Sequence, residues 1–153
     1  MNYWLIKSEP DAFSIDDLKN APAETEHWDG IRNYQARNFI RDDMRKGDRA
    51  FFYHSNCKTP GIVGIAEIVS GPYPDPTAFD PNEKYFDPGS DPENPRWLMM
   101  DVRFQRKTRR LISLTELKAQ GDRLAGLPLV RRGNRLSIMP VSKAHWDFIL
   151  SLE

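Results

Sequence analysis

Apolar residues in this chain gather in short runs broken by polar, glycine and proline punctuation, and the spacing inside each run predicts its geometry. Tyr3-Trp4-Leu5-Ile6-Lys7 reads as a short buried strand. Arg49 to Tyr53 and Ile62 to Ile68 are the strongest strand candidates, joined through a polar Ser55-to-Gly61 turn. Ser14 followed three residues later by Asp17 is the signature of a capped helix start. His27-Trp28 reads as a short strand or a strand end. Asn33 is placed to cap a helix from about Tyr34 to Met44, closed by Gly47. Ala36, Phe39, Ile40 and Met44 recur at helical spacing, so that face is expected to be buried.

Residues 70–95 change the texture. They hold seven of the twelve prolines, which remove backbone donors and fix φ, so they predict a long ordered loop rather than sheet. Tyr73, Phe79, Tyr85 and Phe86 are expected to pin it to the domain. Trp97 to Gln105 resumes as a strand, Ser113-Leu114-Thr115-Glu116 is a second capping box for a short helix ending near Gly121, and Leu136-Ser137-Ile138-Met139 alternates as a last strand. Ser142 then caps a terminal helix with Trp146, Ile149 and Leu150 on one face. Strands and helices do not alternate regularly, so the fold class is α+β: a twisted or closed mixed sheet with peripheral helices.

A chain of 153 residues with 39% hydrophobic and 11% aromatic content fits one folded domain, 1–153. It has no run of eighteen apolar residues and so no membrane span is expected, and the N-terminus lacks the basic and long apolar segments of a leader. The single Cys57 excludes an internal disulfide and fits a reducing compartment; a cytoplasmic monomer is the simplest expectation. Net charge is zero, but its distribution is not even: 11 Lys/Arg against 17 Asp/Glu in residues 1–100, and 11 against 5 in residues 101–153. Arg106, Arg109, Arg110, Arg131 and Arg132 belong to this basic excess, which forms either one basic face for phosphates or a solvated surface partly paired with acids.

The densest recognition chemistry lies in Trp28-Asp29-Gly30-Ile31-Arg32-Asn33-Tyr34-Gln35-Ala36-Arg37-Asn38, with a second set after an apolar strand at His54-Ser55-Asn56. Flat π faces, directional amides and arginine forks suit a planar, hydrogen-bonding ring beside a phosphate chain. Trp28 and Tyr34 could wall such a pocket, Asp29, Asn33, Ser55 and Asn56 could read the edge of the ring, and Arg32, Arg37 and Lys58 could meet phosphates. Each has a structural alternative: Trp28 as core, Asn33 as helix cap, Tyr34 as staple, Ser55-Asn56 as turn. On the pocket reading, Trp28→Ala removes ligand preference and leaves the fold intact. Enzyme chemistry has little support. His54 and Cys57 point to opposite faces of an extended chain, the three His and one Cys lack metal-ligand spacing, and no phosphate-binding glycine loop is present. No cofactor and no metal is expected. A binder or enzyme for a free base, nucleoside or related ring is the alternative.

The blocks Tyr3–Pro10, Trp28–Asn38, Gly47–Asn56, Pro60–Ala66, Tyr73–Asp80, Pro95–Trp97 and Arg135–Val141 together resemble the EVE domain family in order and over nearly the whole chain. The resemblance implies a PUA-like fold, a small, partly closed mixed β-barrel with flanking helices. It also implies a pocket for a modified nucleobase, with modified cytosine in DNA the leading ligand class and modified RNA the other. A weaker similarity to YTH domains, carried by Ile6-Lys7-Ser8, Trp28 and Trp97, implies that Trp28 and Trp97 are cage walls and that Ser8, Glu9 and Asp29 sit beside the inserted base.

Overall fold

Two apolar runs, Trp4-Leu5-Ile6 and Ala50-Phe51-Phe52-Tyr53, show no alternation because the strands that carry them are covered on both faces. In the computed structural model, which describes residues 1–153, these are β1 (Tyr3–Ser8) and β3 (Arg49–His54). They pair in parallel, Tyr3 with Arg49 through Ser8 with His54. The other strands are β2 (Thr25–His27), β4 (Gly61–Ile68), the two-residue β5 (Tyr73–Pro74) and β6 (Leu98–Met99), β7 (Asp101–Ser113) and β8 (Ile138–Val141). A six-stranded sheet runs in the order β2-β7-β4-β3-β1-β8, and its remaining pairings are antiparallel; β5 and β6 form a separate ribbon.

One face of the sheet buries Trp4, Ile6, Ala50 and Phe52 with Ile15, Leu18, Trp28 and Ile40. The other buries Leu5, Phe51 and Tyr53 with Leu117, Leu124, Met139, Trp146 and Ile149. The first is covered by α1 (Ile15–Asn20) and α2 (Tyr34–Asn38), the second by α3 (Leu114–Lys118) and α4 (Lys143–Leu150). Register shifts in β3/β4 at Phe52/Tyr53 and in β4/β7 at Ile62/Gly64 and Ile65/Ala66 add local twist, curling the sheet into a half-barrel. Gly64 lets α1 approach this bend: a Cβ there would lie 2.7 Å from Ile15 Cδ1. This is the mixed α+β architecture expected. No helix is long and apolar enough to cross a membrane.

Several boundaries depart from the pattern reading. The Tyr34-to-Met44 helix is α-helical only to Asn38 and continues as a π-turn over Phe39–Asp43. The strand expected at Trp97–Gln105 is split: Leu98–Met99 pairs with β5, and β7 then runs on to Ser113 through a polar stretch whose period is broken by the register shifts. The last strand lies two residues later than expected. Asn134 Oδ1 accepts the Leu136 N–H and holds that segment in a turn, while Pro140 is accommodated because β8 is an edge strand. The Ser14/Asp17 capping box is complete. At Ser113 only the serine half forms, because Glu116 turns its carboxylate to Arg110.

Candidate functional site

The parallel pairing of β1 and β3 delivers both strand ends to one place. Beyond them the Ser55 N–H donates to the Ser8 carbonyl at 3.0 Å, and a cavity of about 1080 Å³ opens there. Lys7, Ser8 and Glu9 come from β1 and the turn after it, Ser55 and Asn56 from the turn after β3, and Ser137 with Arg135 from the segment entering β8. The opposite wall is the Trp28–Ile31 segment after β2, with Phe13 and Tyr85.

Trp28 is 7% exposed, and that sliver faces the cavity; the rest of its indole packs edge-on to Phe52 at 5.5 Å and to Phe13 at 6.3 Å. It is both core and wall. Gly30 turns with φ +77, and a Cβ there would lie 2.7 Å from the Tyr85 ring, so glycine is what lets Tyr85 pack onto this segment. Its N–H donates to Asp75 Oδ2 at 2.8 Å. Asp75 is fully buried and also accepts from Arg32 Nη1, the Thr77 N–H and the Thr77 hydroxyl. Burial pushes its carboxyl up, but the Thr77 hydroxyl, the Gly30 N–H and Arg32 prevail and hold it below the ordinary carboxylate range. The proline-rich loop is thereby clamped to the recognition segment.

The polar lining is mixed in sign. Glu9, Glu26 and Asp29 face Lys7, Lys84, His27 and Arg135. Burial pushes Asp29 up, reinforced by the negative charges of Asp75, Glu26 and Glu83; burial lowers Lys7. Asn56, itself at φ +51, donates its amide to Glu9 Oε1 at 3.1 Å and orients that carboxylate. The Ser8 hydroxyl donates to the Phe13 carbonyl at 2.6 Å, leaving its oxygen free to accept. His27 Nδ1 lies 3.0 Å from Asp101 Oδ1 and 2.8 Å from the Tyr73 hydroxyl, and the Asp101 hydrogen bond raises its pKa.

Of the expected pocket residues, Ser8, Glu9, Trp28, Asp29, Ser55 and Asn56 meet here, and three do not. Asn33 caps α2 by accepting the Ala36 N–H, and it lines a different groove. Tyr34 lies outside the cavity over Trp97, with ring centroids 4.8 Å apart. Trp97 is buried and donates Nε1 to Asp87 Oδ2 at 2.7 Å, so it anchors the proline-rich loop instead of walling the cavity. Sequence reasoning missed Lys7, Phe13, Glu26, His27, Lys84, Tyr85, Arg135 and Ser137 as lining. Lys7 and Arg135 belong to blocks that carried the family resemblance, and Arg135 also to the basic excess of residues 101–153.

The phosphate assignments need larger correction. Arg32 is spent on Asp75, the Tyr85 carbonyl and Thr77 Oγ1. Arg37 donates to Asn38 Oδ1 and the Arg96 carbonyl. Arg106 forms a two-pronged pair with Glu153, and Arg110 does the same with Glu116. These four guanidiniums hold the protein together. Lys58, Arg109, Arg131 and Arg132 remain exposed and outside any ion pair, and Arg131 lines the groove that Asn33 also lines. His54 Nε2 accepts the Ile15 N–H at 3.1 Å and so serves the start of α1.

A curled mixed sheet flanked by helices, with a cavity at the end of its one parallel pair, defines a PUA-like domain. The chain belongs to the EVE domain family, which it matches over residues 2–152. It is 50% identical to thymocyte nuclear protein 1 of Rattus norvegicus over 99% of this chain and 74% of that protein. A crystal structure of a Pseudomonas syringae protein has 50% identity and a TM-score of 0.92, covering 98% of each chain. Human THYN1, solved in complex with 5-methylcytosine-containing DNA, is 48% identical with a TM-score of 0.93 over 99% of this chain and 97% of that one.

Proposed function

We propose that this protein binds DNA carrying modified cytosine and holds the modified base, turned out of the helix, in the cavity beside Trp28. The observation that carries this reading is the solved complex of the 48%-identical human THYN1 with 5-methylcytosine DNA, whose fold superposes on nearly all of this chain.

The chemistry of the cavity supports it. A base inside a duplex cannot be read at its pairing edge, so it must be extruded, at a cost of a few kcal/mol. Contact with an aromatic face returns roughly 1–3 kcal/mol per base. The pairing edge of cytosine presents one amine donor and two acceptors. The carboxylates of Glu9, Glu26 and Asp29 can take the amine, and Lys7 and the Asn56 amide can serve the acceptors. A methyl group by itself is worth about 0.8 kcal/mol of burial, so preference for the modified base needs both an apolar wall and polar groups that penalise a wrong edge. Trp28, Phe13 and Tyr85 supply the first, the carboxylates the second. On this reading the cavity binds its ligand without transforming it; a Cys57 nucleophile with His54 as base is disfavoured, because His54 Nε2 accepts the Ile15 N–H.

The test is binding of matched duplexes with cytosine, 5-methylcytosine or other modified cytosines at one position, with the free nucleoside alongside and ligand recovered after long incubation. Preference for a modified duplex and unchanged ligand is expected. Equal binding of all duplexes, or turnover of the nucleoside, overturns the reading.

A further inference from the structure

We propose that the carboxylate-free groove on the far side of Arg135 carries the phosphodiester strand next to the extruded nucleotide. This rests on the base-binding reading above and extends it to the path of the strand.

The groove encloses about 820 Å³ between the start of α2 and the segment from Gly126 to His145. Arg131 and Arg135 with Asn33, Gln35, Asn134, Ser142 and His145 supply its polar lining, and no Asp or Glu lines it. The base cavity is the opposite case, with three carboxylates in its lining. A phosphate brought beside Glu9, Glu26 and Asp29 would meet like charge, whereas the groove, which also has apolar lining from Phe39, Leu127, Leu136 and Val141, presents two arginines and no acid. The two spaces therefore sort a nucleotide by chemistry: a neutral ring with an amine suits one, its anionic backbone the other. Arg135 lines both and stands between them.

Two of the arginines left outside any ion pair fall on this groove. Arg32, Arg96, Arg103, Arg106 and Arg110 are committed to carboxylates of the protein itself. Arg131 and Arg135 enter no ion pair and no side-chain hydrogen bond, and they flank a turn at Gly133 with φ +76. A pair of unspent guanidiniums on the lining of a carboxylate-free groove is suited to bidentate contact with phosphate.

The experiment measures affinity for a modified and a plain duplex across a salt series, using wild type, Arg131→Gln, Arg131→Glu and Lys118→Gln. Lys118 lies on α3, lines neither space, and controls for net charge. Thermal melting confirms that each variant is folded. Arg131→Gln is expected to weaken both duplexes by the same factor, on the order of tenfold for one charge-assisted contact. It should also reduce the slope of log K against log salt by about 0.9. Arg131→Glu should weaken both further, and Lys118→Gln should do neither. Wild-type affinity and slope in both Arg131 variants, with modified-base preference intact, overturns the groove and spares the base cavity. Loss of preference with an unchanged slope also overturns it, since the residue would then act on the base. If wild type itself shows no preference, the base reading fails, and the slope on the plain duplex still decides the groove.

Discussion

Asp75→Asn is the sharpest probe of how the cavity is held. Asp75 is completely buried, and its two oxygens accept from the Gly30 N–H, Arg32 Nη1, the Thr77 N–H and the Thr77 hydroxyl at 2.6–3.0 Å. An asparagine presents one oxygen and one amide. In its better orientation it keeps Gly30 and Arg32, lets the Thr77 hydroxyl reverse, and leaves the Thr77 N–H facing an N–H. The larger loss is charge, because Arg32, only 19% exposed, is left without its carboxylate. Breaking a buried pair this way costs about 3–5 kcal/mol. Arg32 keeps its bonds to the Tyr85 and Ile31 carbonyls, so the low end applies. At roughly 2–4 °C per kcal/mol for a chain of this size, Tm should fall by about 6–12 °C. The pH dependence has a definite sign. The folded carboxyl titrates below its ordinary 3.8, so its contribution is present above about pH 4 and is lost as pH falls through the folded value. Wild type should therefore lose stability on acidification through this range, and Asp75→Asn should lose less. Thermal melts of both proteins between pH 3 and pH 7 measure this. A drop of less than about 2 °C at pH 7 would refute the clamp.

Trp28→Ala should destabilise by about 3–5 kcal/mol, because the structure places most of the indole in the core; the expectation of an intact fold does not survive, and Trp28→Phe, checked by urea melts, is the variant that isolates ligand preference. Gly30→Ala should disrupt the Tyr85 wall and weaken modified-duplex binding several-fold, since the position combines φ +77 with a 2.7 Å approach; wild-type affinity by anisotropy would contradict this. Hydrogen bonds from Arg106 and the Arg109 N–H hold the Glu153 carboxyl down at about 2, so its stabilisation is present above its ordinary 4.5 and disappears as pH falls toward 2. With screening by solvent around Arg106, Glu153→Gln should cost about 1–2 kcal/mol at pH 7 and nothing below pH 2, read from denaturant melts at the two extremes.

The elements that could be read from the chain were those with local causes. Ser14 and Asp17 cap each other across three residues, and the apolar density of β1 and β3 leaves no soluble alternative to burial. The second half of β7 could not be read, because its period is broken by two register shifts that depend on a strand elsewhere in the sequence. The same distinction runs through the site. The Trp28–Ile31 wall is one contiguous segment and showed itself. Arg32 and Arg37 sit inside that segment with the right chemistry, but their partners come from residues 75–96, which sequence spacing does not place. Trp97 resembled a cage wall by type and order, and Asp87, ten residues earlier, claims its N–H. Arg135 and Lys7 reach the cavity only through the neighbouring pairings of β1 with β3 and β8.

The lone parallel pairing of β1 with β3 has a consequence for biogenesis. Its crossover, residues 9–48, must be laid down before the two strands can meet, and the lining of the cavity draws on positions from Lys7 to Ser137. Most of the lining is synthesised by the time Tyr85 is added, but the cavity closes only after Arg135 and Ser137 emerge and β8 joins β1. The last wall of the cavity is thus the last part of it to be made, and its completion waits on the C-terminal edge strand.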